Sequence, residues 1–415
     1  MCYAKILFAN SVSGDYNFSM QKILTGLDQL IADAKWHKLL KGNIGYLCHS
    51  ASVTENLELG IGPLKTIVGG RLKKIFGPQH GLVTDVQDNM VESDDFIHPF
   101  YKLPVYSLYS TTRVPTPEML QGLDTFVVDL QDVGTRVYTY ITTLALVMQA
   151  CAEAGISVIV LDRPNPVGGT IIEGNVLDMQ WRSFVGHHPI PMRHAMTMGE
   201  MAHFTKNVFN LPGELHIVPM LGWRRSMFFK DSGLTWINPS PNLPTMDGAL
   251  TFVGSVLFEG TNISEGRGTT RSLEMIGHPK IEPFSFCEKI LPPLKATGLT
   301  GFTLRPLVFQ PTFQKHAGRP CGGLQIHVTD AQQFRPWALG QLLLKLLKVE
   351  LAADFAWNDH PYEYAHEQLA IDLINGTDQL RLWVENKTHY RDLLALEQTG
   401  QQVFLQQRKE CLLYQ

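Results

Sequence analysis

The chain has 415 residues, which exceeds the length at which a single hydrophobic core usually stops growing, so its length predicts two domains. Its composition, 44% hydrophobic and 18% charged, is that of a folded globular protein and excludes a largely disordered one. The formal net charge of −4 gives no general attraction to nucleic acid or to an anionic membrane. We therefore expect neither as a partner and favour a small-molecule or neutral-polymer substrate.

The sequence also bears on location. No apolar stretch approaches the roughly 20 residues that a membrane-spanning helix needs. Residues 1–20 carry one lysine and an apolar patch interrupted by Asn and Ser, which is poor material for a signal peptide. We expect a cytoplasmic protein, the alternative being an exported one whose true start lies upstream. The six cysteines are scattered without a C-x-x-C pair, which favours buried thiols over zinc or redox chemistry.

Five short apolar runs rich in Val and Ile predict strands that are buried on both faces of a parallel sheet. They span residues 43–50, 72–77, 103–109, 125–131 and 156–162. Helical patterns lie between them at 116–123 and 138–155, and the second closes on Gly155, a residue typical of helix C-termini. The alternation of strand and helix predicts an α/β fold with a Rossmann-like, mostly parallel sheet.

The pattern changes near residue 270. Strand patterns at 302–309 and 323–330 and an amphipathic helix pattern at 337–352 indicate a smaller α+β unit. We therefore predict a Rossmann-like catalytic domain over residues 1–270 and a smaller α+β C-terminal domain over residues 271–415. The sequence predicts no particular oligomeric state.

Polar residues follow three of the predicted strands directly. They are the segments GPQHG at 77–81, QDVGTR at 131–136 and DRPNP at 162–166. In open α/β sheets the ligand binds in the crevice beyond the carboxyl ends of the strands. The turn chemistry of Gly and Pro fixes the backbone direction there, so these segments predict a ligand site.

Carboxylates are the first catalytic candidates. The loop at 85–95 carries the five acidic side chains Asp85, Asp88, Glu92, Asp94 and Asp95. Such a loop is either a solvated surface loop or the source of a catalytic acid. Asp129 lies within an apolar strand pattern, where an unpaired charge is costly, so it needs a partner such as Arg136 or Arg163. A structural ion pair and a catalytic role explain Asp129 equally well.

The stretch FEGTNISEGRGTTRS at 258–272 is a second polar concentration. Its closely spaced glycines let backbone amides approach a ligand, and Arg267 is able to clamp a carboxylate with two hydrogen bonds. The spacing of a phosphate-binding P-loop is absent from it, so a nucleotide site is disfavoured. A tight structural turn is the simpler interpretation.

A metal site is the less favoured alternative. The histidines show neither H-x-x-x-H nor H-E-x-x-H spacing. A metal-dependent phosphoesterase would have to use His80 with Asp85 and Asp88. We expect no bound metal and no cofactor.

The polar segments occur in an order that resembles one family. They read FGPQHG, LPVYSLY, DLQDVGTRVYTYITT, VLDRPNPVGG, EGN at 173–175, SFVGHHPIPMRHAMTMGE, GWRR, PSPNLPT, FEGTNISEGRGTT and FQPTFQKHAGRPCGGLQIHVTD. This series resembles the exo-lytic β-N-acetylmuramidases, long catalogued as a family of unknown function. The resemblance covers residues 40–345, and so many ordered motifs make chance improbable.

The resemblance implies hydrolytic removal of N-acetylmuramic acid from the non-reducing end of peptidoglycan fragments during cell-wall recycling. It also gives the arginines a role, because muramic acid carries a lactyl carboxylate that Arg136, Arg163 or Arg267 could hold. The predicted substrate-binding residues are Gln79, His80, Arg136, Arg163, Asn165, Asn262 and Arg267.

One departure concerns the first motif, where many relatives have GPEHG and this chain has Gln79. An amide cannot donate a catalytic proton, so Gln79 orients substrate or water. The acidic family position downstream matches Glu92, which we predict to be the general acid, with Asp132 or Glu265 assisting. The substrate's own acetamido group is an alternative nucleophile. A sugar-binding protein that has lost catalysis is the competing function.

Overall fold

A computed structural model of the chain describes residues 22–85, 87, 91–363 and 365–415. Its ten strands in the described part are β1 (Ile44–Cys48), β2 (Leu72–Gly77), β3 (Phe96–Ile97), β4 (Pro104–Ser107), β5 (Thr125–Asp129), β6 (Ser157–Leu161), β7 (Leu215–Val218), β8 (Met275–His278), β9 (Phe302–Phe309) and β10 (Cys321–Val328). The α-helices in the same residues are α1 (Gly26–Ala32), α2 (Ile61–Val68), α3 (Pro117–Leu120), α4 (Tyr140–Ala154), α5 (Met198–Val208), α6 (Met246–Ser255), α7 (Pro283–Ala296), α8 (Pro336–Leu351), α9 (Ala370–Asn375), α10 (Gln379–Glu385), α11 (Tyr390–Glu397) and α12 (Gln401–Lys409).

The first unit is built on a seven-stranded sheet with the order β3-β4-β2-β1-β5-β6-β7. All neighbouring strands in it are parallel except the edge pair β3 and β4. The central strands β1, β5 and β6 are buried at every position, as their largely apolar sequences predict. The predicted α/β class with a Rossmann-like sheet is confirmed.

Helices cover both faces of this sheet. On one face, Leu27 of α1 and Ile61 and Leu64 of α2 pack against β1 and β2. On the other face α4 packs its apolar side on β5 and β6, in a cluster that runs on into the second unit. Gly155 caps α4 at a φ of 69°, a left-handed conformation that favours glycine, as the sequence predicts.

The chain reverses its direction of travel across the sheet between β1 and β5. From β1 it moves outward through β2 to β4, and from β5 it moves the other way through β6 to β7. Such a reversal opens a crevice beyond the carboxyl ends of the strands on either side. The segments after β1, β2, β5 and β6 therefore surround this crevice.

The second unit is smaller and has an antiparallel sheet with the order β8-β10-β9. Helix α6 precedes this sheet in the chain, yet it packs on α8 of the second unit. The two helices approach closely because Gly254 and Gly340 face each other, and a Cβ atom on Gly340 would lie 2.5 Å from the Gly254 carbonyl oxygen. No helix in the described residues is both long and apolar enough to cross a membrane.

Candidate active site

The tight turn after β2 brings two polar side chains into the crevice. A Cβ atom at Gly77 would lie 2.7 Å from the backbone nitrogen of Leu82, so this close turn requires glycine. Gln79 and His80 follow and are both buried. His80 has a φ of 70°, a left-handed conformation that costs a non-glycine residue about 1–2 kcal/mol. The turn fixes Gln79 and His80 at the carboxyl end of β2.

The amide of Gln79 is oriented from both sides. Its Oε1 accepts a hydrogen bond from the Thr139 hydroxyl at 2.6 Å, and its Nε2 donates to Oε1 of Glu363 at 3.2 Å. Thr139 comes from the segment after β5, whereas Glu363 belongs to the second unit. Since an amide offers one acceptor and one donor group, these two partners specify which way it points.

Glu363 is a buried carboxyl group between the two units. Besides the bond from Gln79, its Oε2 accepts a hydrogen bond from the Tyr109 hydroxyl at 2.7 Å. Burial raises the pKa of Glu363 and the charge of Glu259 adds to the rise, although the hydrogen bonds from Tyr109 and Gln79 oppose it. Its φ of 45° is again left-handed. A carboxyl group with a raised pKa keeps its proton to a higher pH than usual.

A second group of charges lies on the loop after α6. Arg267 is ion-paired with Glu259, and its Nε donates to Oε1 of Glu265 at 3.0 Å. The Tyr362 hydroxyl donates to Oε2 of Glu259 at 2.6 Å. Lys315 lies 2.8 Å from Oε2 of Glu265. Although burial opposes it, Lys315 and Arg267 lower the pKa of Glu265, so this carboxylate stays ionised and holds the guanidinium in place.

Gln79, Glu363 and Arg267 line one cleft between the two units. It contains about 470 Å³ of space when its open mouth is included. Its lining residues are Gln79, His80, Val137, Tyr138, Thr139, Val185, Ser240, Leu243, Phe252, Val256, Glu259, Arg267, Leu273, Tyr362 and Glu363. Both apolar and aromatic surface and convergent polar groups are thus available to a ligand. We call this space the interdomain cleft.

Glu92, the predicted acid, lies beside the interdomain cleft. It is 47% exposed and lines a neighbouring cavity with Gly81 and Leu82, on the other side of the turn that carries Gln79. Its Oε1 is 3.6 Å from Nη2 of Arg113, whose guanidinium lies 4.6 Å from the centre of the Tyr109 ring. Arg113 thus connects Glu92 to the Tyr109 that binds Glu363. The role of Glu92 as acid stays a prediction.

Asp132, a predicted assisting carboxylate, is buried in the segment after β5. Its Oδ2 accepts a hydrogen bond from the Gly134 backbone amide at 2.7 Å and lies 3.5 Å from Nε2 of His194. These contacts shape the turn, and Asp132 is outside the lining of the interdomain cleft. Its assisting role, like that of Glu265, stays a prediction.

Two of the predicted arginines have internal partners. Arg136 donates to four backbone carbonyl groups, those of Asn175, Ile190, Ile374 and Asn375. Burial lowers its pKa to about 9. Arg163 pairs with Asp129 through Nε and Oδ1 at 2.5 Å, which identifies the partner that Asp129 requires. For both arginines the contacts are those of a structural residue, and substrate binding stays a prediction.

The two predicted asparagines also stabilise backbone. Asn165 donates from Nδ2 to the Met196 carbonyl oxygen at 2.8 Å and accepts from the Val167 amide. Asn262 donates to the Asp354 carbonyl oxygen at 2.7 Å and accepts from the Ala356 amide. Of the seven predicted substrate-binding residues, the structure places Gln79, His80 and Arg267 in the interdomain cleft.

The sequence did not predict several residues that line the interdomain cleft or contact its lining. Glu363 and Tyr362 lie in the segment WNDHPYEY at 357–364, where acidic and aromatic residues alternate just before α9. That mixture was the available signal, but only the fold shows that this segment reaches the turn after β2. Tyr109 was not predicted because it lies at the end of an apolar strand pattern, which gives no sign that its hydroxyl binds Glu363.

The described part of the chain contains no cluster of side chains that would support the metal-dependent alternative. Among residues 22–85, 87, 91–363 and 365–415, no three or more His, Cys, Asp or Glu side chains are placed to hold a metal ion. Asp88, which that alternative requires, lies outside the described residues.

Comparison with known proteins identifies the family. Models of the N-terminal and C-terminal domains of exo-β-N-acetylmuramidase NamZ match residues 44–247 and 250–414. The peptidoglycan β-N-acetylmuramidase NamZ of Bacillus subtilis (strain 168) is 39% identical over 394 residues, which cover 95% of this chain and 92% of that protein. The two family models meet near residue 248, and the boundary near residue 270 stays a prediction.

Two solved structures share the fold. A DUF1343 family protein from Bacteroides fragilis NCTC 9343 is similar with a TM-score of 0.83 at 29% sequence identity, and a second one with 0.73 at 25%. In each case the match covers 95% of this chain and 99% of the other. The family and enzyme class predicted from the ordered motifs are confirmed: the chain belongs to the exo-β-N-acetylmuramidase NamZ family of glycosidases.

Proposed function

We propose that the chain hydrolyses the glycosidic bond of an N-acetylmuramic acid residue at the non-reducing end of peptidoglycan fragments, and that the interdomain cleft is its active site. Family membership supports the reaction, since a relative 39% identical to this chain is a peptidoglycan β-N-acetylmuramidase. The cytoplasmic location stays a prediction.

One observation carries the assignment to the interdomain cleft: a carboxyl group, Glu363, and a guanidinium group, Arg267, line the same space. Glycoside cleavage needs a carboxyl group to protonate the leaving oxygen. Muramic acid differs from glucosamine by its lactyl carboxylate, which a guanidinium binds well. The cleft therefore offers partners for both the reacting bond and the distinguishing substituent.

The orientation of Arg267 supports such a role. Its Nε and Nη2 are used by Glu265 and Glu259, which leaves the Nη1 amino group without a hydrogen bond in the described residues. We assign Nη1 to the lactyl carboxylate. The two glutamates then fix the orientation of the guanidinium before the substrate binds, so less side-chain conformational entropy is lost on binding.

The test uses chromogenic β-glycosides of N-acetylmuramic acid and N-acetylglucosamine. We expect the wild-type chain to release dye from the first and to be about 10- to 150-fold slower on the second, because a hydrogen bond to a charged group contributes about 1.5–3 kcal/mol. Release of muramic acid from a disaccharide with that sugar at the non-reducing end, with the same bond left intact when a glucosamine residue caps that sugar, demonstrates exo-action. Saturable binding without product would instead support the sugar-binding alternative.

Arg267→Lys tests the recognition of the lactyl group. We expect it to reduce the preference for the muramic acid glycoside by about 10-fold or more, since lysine cannot keep its contacts with both glutamates and bind the carboxylate. Arg271→Lys is the matched control, because Arg271 is on the same loop and its side chain is 50% exposed. An unchanged preference in Arg267→Lys contradicts the assignment.

A further inference from the structure

Gln79 is an amide beside which the second unit places a carboxyl group, that of Glu363. The amide of Gln79 lies at the carboxyl end of β2 and cannot supply a proton. Its Nε2 is 3.2 Å from Oε1 of Glu363, which reaches this point from a segment 284 positions later in the chain. A carboxyl group is therefore present beside the amide, held by a different part of the chain.

The second carboxylate in the lining of the interdomain cleft, Glu259, is paired with a cation. It is ion-paired with Arg267 and accepts the Tyr362 hydroxyl, so its charge holds the guanidinium in place. Glu363 accepts hydrogen bonds from Gln79 and Tyr109, both neutral at neutral pH, and the charges of Arg113 and Glu259 also act on it. The Gln79 and Tyr109 donors fix the position of the carboxyl group, as a group that transfers a proton requires.

The surroundings of Glu363 also suit proton transfer. Burial raises the pKa of Glu363 while the Tyr109 and Gln79 hydrogen bonds and Arg113 moderate the rise. The left-handed φ of 45° shows that the surrounding structure holds this residue in an otherwise unfavourable conformation.

We propose that Glu363 is the general acid that protonates the glycosidic oxygen and that Gln79 is the residue that positions it. This inference rests on the proposed function. The proton of Glu363 moves to the glycosidic oxygen while the bond from C1 to that oxygen breaks and its electron pair goes to the oxygen. Water supplies the new oxygen on C1, and its released proton restores the carboxyl group of Glu363.

The decisive experiment compares Glu363→Gln with wild type on two muramic acid glycosides, one with a poor and one with a highly activated leaving group. A lost general acid lowers kcat/KM by about 10²–10⁴-fold on the poor leaving group. We expect a much smaller loss on the dinitrophenyl glycoside, whose leaving group needs no proton. A purely structural defect would lower both rates equally, and that result, or undiminished turnover of both, overturns the proposal.

Glu92→Gln tests the competing assignment, since Glu92 is the general acid that the sequence predicts. We expect it to keep the same ratio of rates on the two glycosides as wild type. A collapse of that ratio in Glu92→Gln, with none in Glu363→Gln, would transfer the role to Glu92. Failure of the wild-type chain on both glycosides would instead refute the proposed function, so the two failures are distinguishable.

Tyr109→Phe gives an independent measurement that does not remove the carboxyl group. Because the Tyr109 hydrogen bond lowers the pKa of Glu363, its loss raises that pKa. The descending limb of the pH profile of kcat/KM, where the acid loses its proton, is then expected to move to higher pH. A limb that stays in place contradicts the role of Glu363.

Discussion

At the scale of single residues, the amide of Gln79 gives Glu363 a neutral hydrogen-bond donor, with Nε2 at 3.2 Å from Oε1. Gln79→Glu would place two carboxyl groups about 3 Å apart, and like charges at that distance cannot both ionise readily. The pair would share a proton, as the two acids of aspartic proteases do.

We therefore expect Gln79→Glu to keep one proton on the pair to higher pH and to move the descending limb of kcat/KM upward by about one pH unit or more. The pH profile on the muramic acid glycoside checks this, with Gln79→Asn as a control that carries no charge. A profile that coincides with wild type would show that residue 79 does not face the titrating group.

The residues of the site differ in how well the sequence predicts them. Gln79 and Arg267 lie in polar turns after apolar strands or beside closely spaced glycines, and local pattern was enough to select them. The position of Asp129 within an apolar strand pattern predicted a partner such as Arg136 or Arg163, and the structure shows that the partner is Arg163. Glu363 depends on a partner 284 positions away, and such pairs have no local signal.

At the scale of elements, burial decided which predictions succeeded. Strands β1, β5 and β6 are buried throughout and have largely apolar sequences. The edge strand β3 has only two residues, both exposed, and β7 is mostly half-buried, so neither has that signature. The helix pattern at 337–352 corresponds to α8. Its packing partner α6 lies before the predicted domain boundary, and the contact between Gly254 and Gly340 that joins the two helices has no local signal in the sequence.

The crossing of α6 and α8 yields a stability prediction. A Cβ atom at Gly254 would collide with the Pro336 carbonyl oxygen, which is backbone and unable to move aside cheaply. We expect Gly254→Ala to lower the free energy of unfolding by about 1–3 kcal/mol, as overpacking usually does. Urea unfolding measures it. Gly70→Ala is the control, since no heavy atom lies within 4 Å of a Cβ there, and an equal loss in both variants would refute the collision.

At the scale of the whole molecule, the last residues return to the first unit. Arg408 donates to the carbonyl oxygens of Gly169 and Ala195, and the Leu413 amide donates to Glu200 at 2.9 Å. The Tyr414 hydroxyl donates to Oδ2 of Asp162, directly after β6, at 2.5 Å. The second unit is thus attached to the first at the interdomain cleft and again through this segment.

This attachment gives a pH-dependent prediction. Burial raises the pKa of Asp162 from 3.8 to about 6, so the folded chain holds a proton on Asp162 that the unfolded chain has already lost. The stabilisation that comes from this proton is complete below about pH 4 and is lost as the pH rises through about 6. The Tyr414 hydrogen bond reduces that loss. We expect Tyr414→Phe to lower the free energy of unfolding by about 1.5–3 kcal/mol at pH 8 and by less at pH 5. Urea unfolding with equal deficits at both pH values would contradict this.

The hydrogen bond between Gln79 and Glu363 has a consequence for how the chain folds during its synthesis. Because its two partners are 284 positions apart, this bond cannot form until residue 363 has left the ribosome. While only the first unit has emerged, the turn after β2 is therefore without the carboxyl group that later orients the Gln79 amide.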